Sequence, residues 1–267
     1  MNLVLLRHTW RSQRFKLAIV CLGLAIWSAL LPVVYGTFGQ TFKSIMDSGL
    51  IPQQLMQFGG GDIFSLSGSM ALGAIHPISL ILNSIFAIGF ATSAIAGERQ
   101  RGTLEVLLAR PLSRRTVYGT LLVAVLGFVA IAIAASIVGA VVGAAIAGVA
   151  SELVPGRLPL FWLNGVLLFG AIAAVGLAAS VSFDRLTPAL GLTVGVTVVS
   201  YFLEVLGTFW PDAKGLQAYS IFHYFNAKQV LEGQVDAGNF AVLAAVAVVA
   251  VGWAVVIFPR RDLAAPS

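Results

Sequence analysis

The sequence predicts an all-α integral membrane protein with six transmembrane helices, on three observations. Of 267 residues, 58% are hydrophobic and only 10% charged, and the mean hydropathy is +0.94, outside the range of ordinary soluble domains. Six stretches reach the roughly 20 apolar residues a helix needs to cross a bilayer at about 1.5 Å per residue. These stretches are apolar on every face, as in AIAASIVGAVVGAAIAGVA, whereas a membrane β-barrel alternates apolar and polar residues in segments of about ten.

The spans run from Leu17 to Phe38, Ala74 to Ala96, Val117 to Ala150, Leu160 to Ser182, Ala189 to Phe209 and Phe240 to Phe258. The first follows the basic segment RHTWRSQRFK. It is too long for the apolar core of a signal peptide, and the best cleavage candidate, Trp27-Ser28-Ala29, lies inside it, so it reads as a retained anchor. The third is about 50 Å long as one helix, well beyond a hydrocarbon core of roughly 30 Å, and must tilt, kink or protrude. Gly139, Gly143 and Ala147, and again Gly191 and Gly195, recur at four-residue spacing. That spacing lets helix backbones approach closely within one bundle or at a dimer seam.

Two segments, 39–73 and 210–239, lie between spans on the side opposite the termini. In the first, Phe42, Ile45 and Met46, then Leu55, Met56 and Phe58, fall at helical spacing around Pro52, and Gly59 to Gly61 end the pattern, predicting short interfacial helices. In the second, Tyr219, Phe222, Tyr224 and Phe225 are placed to anchor the chain at headgroup depth.

Orientation follows from the basic residues. With the N-terminus inside, one side receives Arg7, Arg11, Arg14, Lys16, Arg99, Arg101, Arg110, Arg114, Arg115, Arg185, Arg260 and Arg261, twelve of the 16. The other side keeps only Lys43, Arg157, Lys214 and Lys228. Both termini are therefore expected in the cytoplasm of a bacterial-type inner or plasma membrane. The net charge of +5 is distributed as topology requires and forms no long basic run, so it does not point to nucleic acid.

Catalytic and metal chemistry find little support. Cys21 is alone, and His8, His76 and His223 fall in separate segments without paired spacing, which argues against a disulfide or a metal site. An intramembrane serine protease needs a buried serine within reach of a histidine, and no histidine lies deep in a span. Polar residues inside spans are few: Asn83, Ser84, Ser93, Ser136, Asn164 and Ser200, with Glu204 the one ionisable group, near an outer end where it is expected to be solvated. Of these, Asn83, Ser84, Ser200 and Glu204 are candidates for a pathway lining or for polar packing. A secondary carrier would show inverted repeats, broken midplane helices or more buried ions.

Between the second and third spans stands GERQRGTLEVLLARPLSRR, residues 97–115. Over about residues 98–110 it reads as a short amphipathic helix, with Leu104, Leu107 and Leu108 on one face, Arg101 and Glu105 on another, and Pro111 closing it. Such a helix can lie on the leaflet, leucines in the acyl boundary, or enter a partner's groove.

The residues Gly97-Glu98-Arg99, Arg101-Gly102-Thr103-Leu104-Glu105, Leu107-Leu108 and Pro111-Leu112-Ser113-Arg114 resemble the pattern shared by type-2 ABC transporter permeases. There a Gly-Glu closes the second span, Gly-Thr-Leu-Glu and a Leu-Leu pair follow, and Pro-x-Ser-Arg leads into the third. The resemblance covers about 18 residues. It implies six spans, both termini inside and an external helical segment before the last span. It also implies a pathway formed by two permease copies, here a homodimer, and two cytoplasmic ATPase subunits that receive this coupling helix in a groove. In that scheme Glu98, Arg99, Arg101, Gly102, Thr103, Leu104, Glu105, Leu107, Leu108, Pro111, Ser113 and Arg114 form the ATPase interface. The leucines fill the groove, Arg101 and Glu105 fix register, and Glu98 and Arg114 tie the helix to its flanking spans.

No stretch of the chain reads G-x-x-x-x-G-K-[ST], so no cofactor is expected in it, and ATP and Mg²⁺ belong to the partner. The expected role is export of a hydrophobic or amphiphilic substrate such as a drug, an antibiotic, a lipid or a lipid-linked molecule. The alternatives are a family member that transmits ATPase motion without its own substrate, and a secondary carrier.

Overall fold

The computed structural model describes residues 1–47, 64–104 and 112–261, and the side chains of all of these except 40 and 42–47. Among the described residues the chain is helical without a strand, the all-α class that the composition predicts. The helices are α1 (Leu3–Asp47), α2 (Leu66–Ile75), α3 (Pro77–Ser84), α4 (Glu98–Gln100), α5 (Arg114–Ile146), α6 (Leu158–Ser182), α7 (Leu186–Phe209), α8 (Ala227–Glu232) and α9 (Ala237–Arg260). Among the described residues, five segments are long and apolar enough to cross a membrane: Leu3–Gly39, Arg114–Ile146, Pro155–Ser182, Leu186–Phe209 and Ala237–Arg260. A sixth crossing is available if the bent pair Leu66–Ile75 and Pro77–Phe90 acts as one span.

α1 begins well before the predicted Leu17 because its N-terminal turns have a partner. The Asn2 amide donates to Thr120 Oγ1 at 2.9 Å, and the Trp10 ring packs 4.7 Å from that of Phe128. Further along, α1 and α5 meet backbone to backbone. A Cβ on Gly139 would lie 2.1 Å from the Ala25 carbonyl oxygen, and one on Gly143 would lie 2.1 Å from that of Ala29. Both helices rise together through these contacts, so the two run parallel. The four-residue glycine spacing in α5 therefore serves packing within the chain. Gly191 and Gly195 of α7 face open space.

The second predicted span is not one regular helix. His76 is extended (φ −60°, ψ 144°) ahead of Pro77, because proline crowds the residue before it out of the helical region, and the axes on either side differ by 48°. Beyond Ser84 the chain makes two π-helical stretches, Ile85–Phe90 and Ser93–Gly97. The third span is unbroken from Arg114 and ends at Ile146, short of the predicted Ala150. Gly148, at φ +73°, turns the chain there and returns the Val149 amide to the Ala144 carbonyl.

α6 is the central strut, with 78% of its most apolar stretch buried between α5, α7 and α9. Opposite the coupling loop, two 3₁₀ stretches, Pro211–Tyr219 and Ile221–Tyr224, lead into α8. The aromatic residues predicted as a membrane anchor divide here. Phe222 and Phe225 are 1% and 4% exposed and belong to the core, because the 3₁₀ turns fold back on α7 and α9. Tyr219 remains exposed. Of the first external segment, residues 48–63 lie outside the described residues, and α1 continues as helix to Asp47 where a separate short helix was predicted.

Candidate functional site: the frame around the coupling loop

The stretch between the second and third spans is entered through α4, which ends at Gln100, so the single helix expected over about 98–110 is interrupted by a turn at Arg101 and Gly102. At the end of α4 the Gly102 amide donates to the Arg99 carbonyl at 2.9 Å and the Thr103 amide to the Glu98 carbonyl at 3.0 Å, with Gly102 left-handed at φ +72°. This is the paired closure that terminates a helix on glycine, and it gives the Gly-Thr of the motif a physical role. The Glu98 carboxylate accepts from the Arg101 guanidinium and the Thr103 hydroxyl. Glu98 and Arg101 thus stiffen the turn itself; Glu98 does not reach a neighbouring span through these bonds.

Leu104 differs from the sequence expectation. It is 2% exposed and lies in this chain's own core, because the Gly102 turn carries the chain back under the bundle. Glu105, Leu107, Leu108 and Pro111 lie outside the described residues.

On the far side of the loop, the Ser113 hydroxyl accepts from the Thr116 amide at 3.1 Å and caps α5. Arg114 then reaches across to the end of α9. Its guanidinium donates to the carbonyls of Phe258 at 3.1 Å and Arg261 at 2.6 Å and stands 5.9 Å from the centre of the Phe258 ring. The tie predicted for Arg114 therefore runs to the last helix as well as the third span.

The short turn between α6 and α7 completes the frame. Asp184 accepts from both Arg99, before the coupling stretch, and Arg261, after α9. Arg261 also donates to the Val181 carbonyl at 2.8 Å, and the side-chain oxygen Oε1 of Gln100 accepts from the Leu186 amide at 3.0 Å. One turn deeper, the buried Ser180 hydroxyl donates to the Thr92 carbonyl at 2.7 Å. It accepts from the amides of Ile95 and Ala96 at 3.1 and 2.9 Å. These amides belong to the π-helical stretch, where the regular helical ladder is interrupted. Both flanks of the coupling loop are thereby joined to the ends of four other segments: the second span, α6, α7 and α9.

Asp184, Gln100 and Ser180 are not among the residues the sequence singles out, and Arg261 enters there only as one of the basic residues that set the orientation. Asp184 was the most findable, being the lone acid in a short turn that faces several arginines by topology.

The remaining candidates lie elsewhere. Asn83 is buried and donates to the Ser79 carbonyl at 2.9 Å. Ser84 is half-buried. Ser200 is buried, its carbonyl accepting from the Ser220 hydroxyl at 2.7 Å. Glu204 is not solvated as expected, since its side chain is only 13% exposed. Gln217 donates to its carboxylate at 3.2 Å and to its carbonyl at 3.0 Å, and His223 Nδ1 stands 3.6 Å away. The same fold-back that buries Phe222 covers this carboxylate. Asn83, Ser84, Ser200 and Glu204 are not gathered at the coupling frame.

A bundle of long apolar helices defines a multi-pass integral membrane protein. A family model described as ABC-2 family transporter protein matches residues 6–263, nearly the whole chain, and the chain belongs to this family of ABC transporter permeases. No curated protein matches it. Family membership makes the chain a membrane transport component that partners an ABC ATPase subunit.

Proposed function

We propose that the chain is the membrane-spanning subunit of an ATP-driven exporter for a hydrophobic or amphiphilic substrate. In this reading two copies form the pathway, two separate subunits bind ATP and Mg²⁺ and hydrolyse the nucleotide, and both termini face the cytoplasm of the cell membrane. The observation that carries the reading is the frame: Arg99, Asp184 and Arg261 on one flank, with Arg114 and the end of α9 on the other, join a short loop to most of the bundle. A push on that loop by a closing ATPase pair reaches several helices together. The open face of α7, with Gly191 and Gly195 free of contacts, supports close approach of a second copy there.

The docking step is tested by reversing the charges of Arg101 and Glu105 together. Loss of the ATPase subunit on copurification, with loss of substrate-stimulated ATP turnover, is the expected result. Retention of both would leave the loop a leaflet-bound helix. Transport by the assembled complex in vesicles separates an exporter from a member of the family that only transmits ATPase motion.

A further inference from the structure

On the face opposite the coupling loop, the 3₁₀ turns lie over the end of α7 and cover Glu204. Gly207, where a Cβ would meet Gln217 Cγ at 2.4 Å, lets the Gln217 side chain cross α7 at close range. The Gln217 amide nitrogen then faces three acceptors: the Glu204 carbonyl at 3.0 Å, Glu204 Oε1 at 3.2 Å and Thr208 Oγ1 at 3.3 Å. An amide nitrogen has two hydrogens to give, so none is left for the other carboxylate oxygen. Glu204 Oε2 is buried without a hydrogen bond. A buried carboxylate oxygen left this way is costly unless a proton or a cation stands against it.

The group that faces this oxygen is His223. Its Nδ1 lies 3.6 Å from Oε2, just beyond hydrogen-bond range. The imidazole is 44% exposed, so a proton placed between the two can exchange with water. Because the imidazole stands on the turn Ile221–Tyr224 and the carboxylate on α7, such a proton joins the two elements.

The other ionisable groups nearby are engaged or open to water. Tyr201, one turn back on α7, sets its ring 5.4 Å from that of Phe222. On the overlying turns Asp212, Lys214 and Tyr219 are exposed, and the Tyr224 hydroxyl donates to the Ala218 carbonyl at 2.8 Å. In α8, Lys228 lies 3.9 Å from Glu232. α6 and the two π-helical stretches, which also pack on α7, carry no ionisable residue, nor does α9 before Arg260.

We propose that Glu204 and His223 hold one shared proton between Oε2 and Nδ1, and that this proton latches segment 211–225 onto α7. With the proton present, Nδ1–H donates to Oε2 and the buried oxygen is satisfied. When it leaves, a bare carboxylate faces an imidazole lone pair, and the turn separates from α7 so that water solvates both. Free in water, a glutamate and a histidine titrate at about 4.3 and 6.5. Above about pH 6.5 the open form therefore holds no proton where the closed form holds one. The latch is at full strength below that pH and weakens as pH rises, by up to about tenfold in the closed-to-open ratio per pH unit.

The latch does not depend on the transport cycle, so it is tested on the full chain alone, in phosphatidylcholine nanodiscs. Amide hydrogen exchange is followed from about pH 6 to about pH 8.5, either side of the ordinary imidazole value, and corrected for the intrinsic pH dependence of exchange. The Ser220, Phe222 and Phe225 amides are each hydrogen-bonded inside the segment. Their protection is expected to fall by roughly tenfold or more across this range, while the amides of α6 stay protected and report the intact fold. Glu204→Gln, which keeps the shape and brings its own N–H to the imidazole, should make the protection independent of pH. His223→Gln should do the same, and at its half-exposed position it decides the matter if Glu204→Gln loses the fold. Lys43 is the one basic residue expected on this face whose side chain lies outside the described residues, and Lys43→Gln should keep the wild-type profile. Wild-type protection that does not change with pH, a fall that persists in either latch variant, or a fall abolished by Lys43→Gln would each overturn the latch.

Discussion

The two ends of the bundle hold their loops by opposite chemistry. At the coupling end, charged side chains meet: Arg99 and Arg261, 12% and 23% exposed, on an Asp184 that is 59% exposed, and the more open pair of Arg101 on Glu98. At the other end the joints are buried and largely neutral. Phe222 and Phe225 sit in the core, Ser220 is fully buried on the Ser200 carbonyl, and Gln217 covers Glu204. Exposed ion pairs contribute only about 0–1 kcal/mol each and are readily broken and remade. Buried aromatic side chains contribute several times that. In the proposed function, the contrast suits one end that stays assembled and a coupling end that rearranges while remaining connected.

Removing a buried ring should therefore produce the largest loss of stability. Phe222→Ala is expected to destabilise the chain by about 3–5 kcal/mol, read as a lower midpoint of thermal unfolding in detergent. An effect below about 1 kcal/mol would mean that the outer segment is loosely held and would erase the contrast. A smaller effect is expected at the entrance to the coupling loop. Gly102→Ala places a side chain in the left-handed region with nothing within 4 Å of the new Cβ, so only backbone strain of about 1–2 kcal/mol applies. Its expected signature is a weakened turn and lower ATP turnover in the assembled complex, with the unfolding midpoint shifted by less than for Phe222→Ala. A larger shift than that of Phe222→Ala would place the structural keystone at the coupling end.

What the sequence makes legible follows the range of the interaction. Apolar runs report burial or lipid contact residue by residue, so the helical class and the approximate places of the spans were readable. The Gly102 turn and the Ser113 cap are local, each closed by partners within five residues, yet the helix expected over about 98–110 ran through Gly102, because the apolar spacing of the leucines outweighed the glycine. The break at His76–Pro77 was visible as a residue before proline but was absorbed into an apolar run. Asp184 meets Arg99 and Arg261 from 85 and 77 residues away, and no local pattern encodes that meeting. For Phe222 and Phe225, an aromatic cluster beside a span has the same composition whether it faces headgroups or the core. Leu104 is a similar case, since leucine spacing defines an apolar face without saying whose groove it fills.

In the proposed function, motion at the coupling end passes through Asp184. Asp184→Asn keeps the shape and removes the charge that gathers Arg99 and Arg261, so the chain should lose no more than about 1 kcal/mol of stability and still copurify with its ATPase. The measurement is substrate-stimulated ATP turnover of the reconstituted complex. A fall of roughly tenfold, in the usual range of coupling free energies, is the predicted result, and wild-type turnover in a variant that still binds its ATPase would contradict it.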